Sequence, residues 1–230
     1  YALLLVVTWA QRAGRLRSLG KPGAALVLAG LAAMGAASAA LSAPDGRLHV
    51  TMLPAPNGPT ILVSSPGGRS VLISAADAEL LAEKIPALLP ASQRGVDGML
   101  LPGADGRGLS ELPGLFERLP LGWLAAPDAL WATPNGEKLE KAALDAGLRT
   151  AGLPAGAVFD LGDGVRLEVL AESESGPALL LSWDRFRALL PGGVSPDALR
   201  GRDLQGCTLL VLDAQDAPDW LWVQPLLLWD

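Results

Sequence analysis

Residues 24–43, AALVLAGLAAMGAASAALSA, form a 20-residue stretch without a single charge. A helix rising about 1.5 Å per residue needs that length to cross a hydrocarbon core of roughly 30 Å. The stretch also divides the chain electrically. Residues 1–43 carry Arg12, Arg15, Arg17 and Lys21 and no acid, whereas residues 44–230 hold the other 14 basic residues and all 24 acidic ones, a balance of −10. The two parts are therefore expected to face different solvents. Ahead of the basic residues lies a further apolar run, YALLLVVTWA. A signal peptide has its charged region first and its apolar region second, so the order here favours the tail of a polytopic membrane protein. On that reading residues 1–43 comprise the end of one apolar helix, a basic cytoplasmic loop and a transmembrane helix over 24–43. The positive-inside rule then puts residues 44–230 outside the cytoplasm. A cleaved signal is the alternative.

Residues 44–230 read as short strands alternating with helices. The runs RLHVTML (47–53), TILVSS (60–65) and RSVLIS (69–74) are separated by turn residues and suggest an antiparallel meander. Helices are expected at 77–89, 109–119 and 136–147, with a glycine-rich turn GADGRG at 103–108. Further strands are expected at 98–101, 121–126, 164–172, 176–184, 185–190 and 207–213, with a short helix at 196–200 and an apolar run at 220–229. Strands outnumber helices, and the helices fall between strand groups, which implies sheets covered by helices in an α/β layering.

Scarcity bounds the chemistry. One cysteine, Cys207, excludes an intrachain disulfide, and one histidine, His49, excludes a zinc site built from several histidines. His49 alternates with apolar residues on the first strand and reads as a surface residue. Cys207 opens an apolar strand and reads as a small buried hydrophobe. The tryptophans of this part read as packing residues, except that Trp220, Trp222 and Trp229 crowd the carboxy terminus and suggest a protein-binding face. Arg185, Arg187, Arg200 and Arg202 form the densest basic cluster, but a part at −10 offers little for neutralising duplex phosphates. Direct DNA binding by residues 44–230 is not expected.

The phrases GRLHVTMLPAPNGPTILVSSPGGRSVLISAA (46–76), GMLLPGADGRGLSELPGLFERLP (98–120), LGDGVRLEVL (161–170) and LLLSWDRFRALLPGGVSPDALR (179–200) run in one order. Taken together they resemble the carboxy-terminal metallo-β-lactamase-like domain of the ComEC family, the inner-membrane channel of bacterial DNA uptake. The resemblance implies a metallo-β-lactamase-like αββα sandwich preceded by one or two transmembrane helices. It further implies a place in DNA internalisation during competence, with DNA passing through the channel portion rather than over this domain.

Position by position, the resemblance places this chain's residues where the family holds its metals. Gly103 and Asp105 stand at the two histidines of the H-x-H motif, and Arg107 and Gly108 at the D-H pair that follows. Ser74 stands at the acid of L-I-D-G-G, and Gly193 at the bridging acid after L-L-T-G. Pro54 and Pro59 replace the first acids, and the late H-H-G loop falls near Ala214 to Asp216. A metal centre that activates water needs several fixed ligands, and of these only Asp105 can still ligate. The resemblance therefore implies no cofactor, with the zinc or manganese site lost and the domain serving as a structural or accessory module. Arg107 beside the glycines is the expected contact for any anion. Two rival readings stay open: a hydrolase or nuclease rebuilt on Asp97, Asp105 and Glu111, and a membrane-tethered interaction domain unrelated to DNA.

Overall fold

The structure is a computed structural model that describes residues 30, 44–53, 60–74, 78–90, 93–103, 106–173, 176–204, 206–211 and 227–229, with 106–107 and 227–229 described by backbone alone. The chain divides into two compact units, Tyr1–Ala43 and Pro44–Asp230, and every element below belongs to the second. Among the described residues no helix is long and apolar enough to cross a membrane. The segments expected over 1–43 lie outside those residues, save residue 30.

The first sheet follows chain order: β1 (His49–Leu53), β2 (Thr60–Ser64), β3 (Ser70–Ile73), β4 (Val96–Leu100), β5 (Leu121–Ala126) and β6 (Arg149–Gly152). The meander expected for its first three strands is present, with β1–β2 and β2–β3 antiparallel. From β3 onward the pairings are parallel, as they must be when helices carry the chain back to the same end. Those helices are α1 (Ala78–Leu88), α2 (Gly106–Arg118), the single turn α3 (Asp128–Trp131) and α4 (Pro134–Asp145). The second sheet has the order β12-β11-β10-β9-β8-β7, from β7 (Val158–Gly162), β8 (Val165–Ala171), β9 (Ala178–Trp183), β10 (Phe186–Leu190), β11 (Leu209–Val211) and β12 (Leu227–Trp229).

Period-two alternation decides what each sheet face meets. Leu62, Leu72, Met99, Leu101, Leu124 and Ala126 point to the helices, where Leu81, Ile85, Leu112, Leu115 and Leu139 are buried against them. Their neighbours Ile61, Val63, Val71, Ile73, Leu100 and Ala125 point the other way, onto Leu167, Val169, Leu179, Leu181 and Ala188 of the second sheet. The outer face of the second sheet buries Leu180, Leu189 and Leu210 against Val194, Leu199 and Leu204. This is layered α/β packing with one helical layer. On the far side of the second sheet the described residues supply a 3-10 turn at Pro196–Leu199 where an αββα sandwich has helices.

Local chemistry sets the boundaries. Thr133 caps α4: its Oγ1 accepts the Gly136 N–H at 3.0 Å and donates to the Leu130 carbonyl at 2.8 Å, with Pro134 in the first turn. One expectation needs correction: the glycine-rich stretch 103–108 is helical from Gly106 onward, where α2 begins. Strands β6 and β7 were not foreseen, since RTAG and VFDLG are short, and β7 has a register irregularity between Asp160 and Gly162. The two-residue loop between β7 and β8 held the missing signal. Asp163 (φ 55°) and Gly164 (φ 80°) both take the left-handed backbone that a tight Asp-Gly hairpin requires.

Near the start of the second unit, Asp45 accepts from the His49 ring Nε2 at 3.0 and 2.9 Å and from the Arg47 N–H at 3.0 Å. The His49 hydrogen bond, and then the Arg47 amide, hold the Asp45 carboxyl below the usual aspartate range. A carboxyl lowered by folding contributes stability above its unfolded value and loses it as pH falls through its folded value. In an NMR titration the Asp45 midpoint should therefore lie below that of an aspartate in an unfolded peptide, and His49→Ala should move it upward. An unchanged midpoint in that variant would show that the ring contributes nothing.

Candidate functional site

In parallel α/β sheets ligands gather beyond the carboxyl ends of the strands, and two of the matched positions fall there. Ser74 directly follows β3 and Gly103 lies shortly after β4. Gly176 (φ +130°) approaches the Pro102 carbonyl so closely that a Cβ would sit 2.7 Å from the oxygen. A Cβ on Gly192 (φ +57°) would sit 2.4 Å from the Pro177 carbonyl. Glycine is required at both positions by backbone conformation and by space. Through these contacts the loops after β4, before β9 and after β10 meet at one edge, so the structure brings Gly103 and Gly193 into one neighbourhood.

Ser74 is the matched side chain that the structure describes at that edge, and it is sealed rather than displayed. Ser74 is fully buried, its Oγ lies 2.7 Å from Thr60 Oγ1, and its N–H donates to the Leu100 carbonyl at 3.1 Å. Gly108 is buried in the first turn of α2, Gly103 is half-buried, and Gly193 is exposed. Asp105, Pro54, Pro59 and Ala214 to Asp216 lie outside the described residues, as does the side chain of Arg107. The anion contact expected of Arg107 is therefore not described.

Of the three carboxylates considered for a rebuilt site, Asp105 lies outside the described residues, and Asp97 and Glu111 stand on different elements. Asp97 sits near the start of β4, about 10 Å of strand before its end at roughly 3.3 Å per residue, and its Oδ2 accepts the Ser70 N–H at 2.7 Å. Glu111 is exposed on α2. Among the described residues no three His, Cys, Asp or Glu side chains stand close enough to hold a metal.

The other singled-out residues have structural employment. Arg187 lies 3.6 Å from the Asp203 carboxylate, Arg200 2.8 Å from Asp197, and Arg202 donates to the Leu170 carbonyl at 3.1 Å. Three of the four arginines of the basic cluster are thus held by their own surroundings. Cys207 is buried, as its sequence setting suggests, and burial pushes its thiol up, opposed by Arg187 and reinforced by Asp203. Trp131 and Trp183 donate their indole N–H groups to the Ala151 and Asp163 carbonyls. Trp220 and Trp222 lie outside the described residues, and Trp229 is described by backbone alone.

This architecture has known counterparts among solved structures. The chain is similar to Zn(2+)-bound PqqB from Methylobacterium extorquens, at 18% identity and a TM-score of 0.51 over 72% of this chain and 61% of that one. It is similar to the metallo-β-lactamase fold protein YhfI from Bacillus subtilis, at 15% identity and a TM-score of 0.51 over 69% of this chain and 65% of that one. The second unit has the metallo-β-lactamase fold. In both cases the chain spans less than two thirds of the similar structure's length. No protein-family model and no curated protein matches the sequence.

The metallo-β-lactamase fold brings a correction. The expectation of a chain without cofactor is overturned by its likeness to metal-binding proteins, of which PqqB holds Zn²⁺. The expectation rested on the loss of histidines and acids at the matched positions, and metal donors can also come from other side chains. The described part of the edge, with glycines and a sealed serine, does not itself make a zinc donor set.

Proposed function

We propose that this chain is the carboxy-terminal part of a ComEC-like protein of the bacterial inner membrane that internalises DNA. Residues 24–43 cross the membrane, and the second unit stands outside the cytoplasm as a structural or accessory module. DNA is moved by the preceding channel portion and is not bound by residues 44–230. The Trp-rich carboxy terminus is the surface offered to a protein partner.

The observation that carries the reading is the colinear run of family phrases, from GRLHVT at 46–51 to LLPGGV at 189–194, laid over a metallo-β-lactamase fold. An accessory role is supported by Ser74, which stands where the family has an acid and is closed off by Thr60. The spread of Asp97 and Glu111 argues against a rebuilt carboxylate centre.

Transformation of the native bacterium tests the reading. Removing residues 44–230 should abolish transformation while DNA still binds the cell surface. Asp105→Ala, at the one matched position that keeps a carboxylate, should leave transformation unchanged. Normal transformation after the deletion would overturn the DNA reading, and loss of transformation in the Asp105→Ala strain would reveal a catalytic domain.

A further inference from the structure

A cleft of about 800 Å³ opens at the opposite end of the first sheet, where the parallel strands begin. Its wall follows a single register row: Val71 pairs with Gly98, Gly98 with Trp123, and Trp123 with Arg149. The Trp123 ring stacks on Phe159 of the second sheet, with centroids 5.4 Å apart and planes 16° apart. Around these rings stand Arg69, just before β3, Arg94, just before β4, and Arg149, which opens β6.

The charges of the cleft are employed unequally. Asp97 accepts from the Ser70 N–H, and Asp160 accepts from the Gly162 N–H at 2.8 Å. Both carboxylates thus serve the backbone. The guanidinium groups of Arg69, Arg94 and Arg149 have no hydrogen bond or ion pair among the described residues. Three uncommitted guanidiniums in a cleft with two committed acids give a locally cationic surface in a part of the chain that carries −10. Guanidinium forks match phosphate oxygens in geometry as well as charge. The volume falls within the range of small-molecule sites, and it exceeds what a bare oxyanion fills.

We propose that this cleft binds a phosphate ester with an apolar substituent, the phosphate held by Arg69, Arg94 and Arg149 and the substituent against the Trp123 and Phe159 rings. The site lies away from the family-matched edge and does not depend on the membrane or DNA reading. A soluble organic phosphate and an anionic lipid headgroup share this chemistry.

The test is titration of the full chain in nonionic detergent, followed by NMR of the Trp123 indole and arginine Nε–H resonances. The probes are phenyl phosphate, inorganic phosphate and a short-chain phosphatidylglycerol. The expected result is saturable, salt-sensitive binding of an organic phosphate, tighter than inorganic phosphate, with Trp123 among the shifted resonances. Tighter phenyl phosphate assigns a soluble ligand, and tighter phosphatidylglycerol assigns a headgroup. Reversing two charges, Arg94→Glu with Arg149→Glu, should weaken binding roughly tenfold or more. Both residues are exposed, and circular dichroism of the variant checks that the fold is kept. Arg185→Glu, also exposed and outside the cleft, should change nothing. The proposal is overturned by no saturation with either organic phosphate, by equal binding in the double variant, or by inorganic phosphate binding as tightly as the esters.

Discussion

Gly98→Val should cost the second unit about 3 kcal/mol or more, at the upper end of what overpacking a core produces. A Cβ at Gly98 would lie 1.9 Å from Trp123 Cε2 and 2.2 Å from Cζ2, so the indole occupies the space a side chain would need. Trp123 is held over Gly98 by its stacking on Phe159 across the inter-sheet layer. Flexible side chains relieve such a clash cheaply, but a stacked ring on a central strand does not. Guanidinium denaturation followed by far-ultraviolet circular dichroism measures the loss. Pairing Gly98→Ala with Trp123→Leu should recover much of it, and the double-mutant cycle should show a coupling of about 1 kcal/mol or more between the two positions. A Gly98→Val protein as stable as the parent would mean that the ring does not lie over Gly98 in solution.

Ser74→Asp should be comparably damaging at neutral pH, by about 3–5 kcal/mol, because it buries a charge beside a neutral hydroxyl. Ser74 has no solvent exposure, and the hydroxyl next to its Oγ belongs to Thr60. The new carboxyl should avoid ionising in this setting, so its pKa should rise. A carboxyl raised by folding destabilises increasingly as pH climbs above its unfolded value, so the variant should recover stability as pH is lowered toward that value. Denaturation midpoints across a pH series check the sign. Retained stability at neutral pH would show that a compensating group, such as a bound cation, reaches position 74. That outcome would place metal-binding character at the edge the family resemblance marks.

The candidate site was legible in part. Chain order and local phrases placed Ser74, Gly103 and Gly193 in one resemblance, and the contacts of Gly176 with Pro102 and of Gly192 with Pro177 bring the loops of the last two together. Spacing could not reveal that Ser74 closes on Thr60, since the two are 14 residues apart and meet only through the pairing of β2 with β3. Linear density and tertiary structure group different arginines. Arg187, Arg200 and Arg202 are near one another in the chain, yet each is engaged by groups around it. Arg69, Arg94 and Arg149 are far apart in sequence and come to one cleft because β3, β4 and β6 run parallel and begin at the same end.

Residue pattern alone determined the elements whose burial repeats with a fixed period. The unbroken apolar runs ILV, VLI and MLL dictated two-sided burial of the central strands, and the apolar spacing in AELLAEKI and LSELPGLF dictated helices with one buried stripe. These signals are local, because each side chain's face follows from its own strand or helix geometry. Tertiary structure alone decided the rest. It made strands of RTAG and VFDLG, whose pairing comes from neighbours already in the sheets. It chose glycine at position 98 for a tryptophan 25 residues away, and it gathered three distant arginines around that tryptophan. The physical reason is the same in each case: a register between strands is a relation between segments, and no single segment contains it.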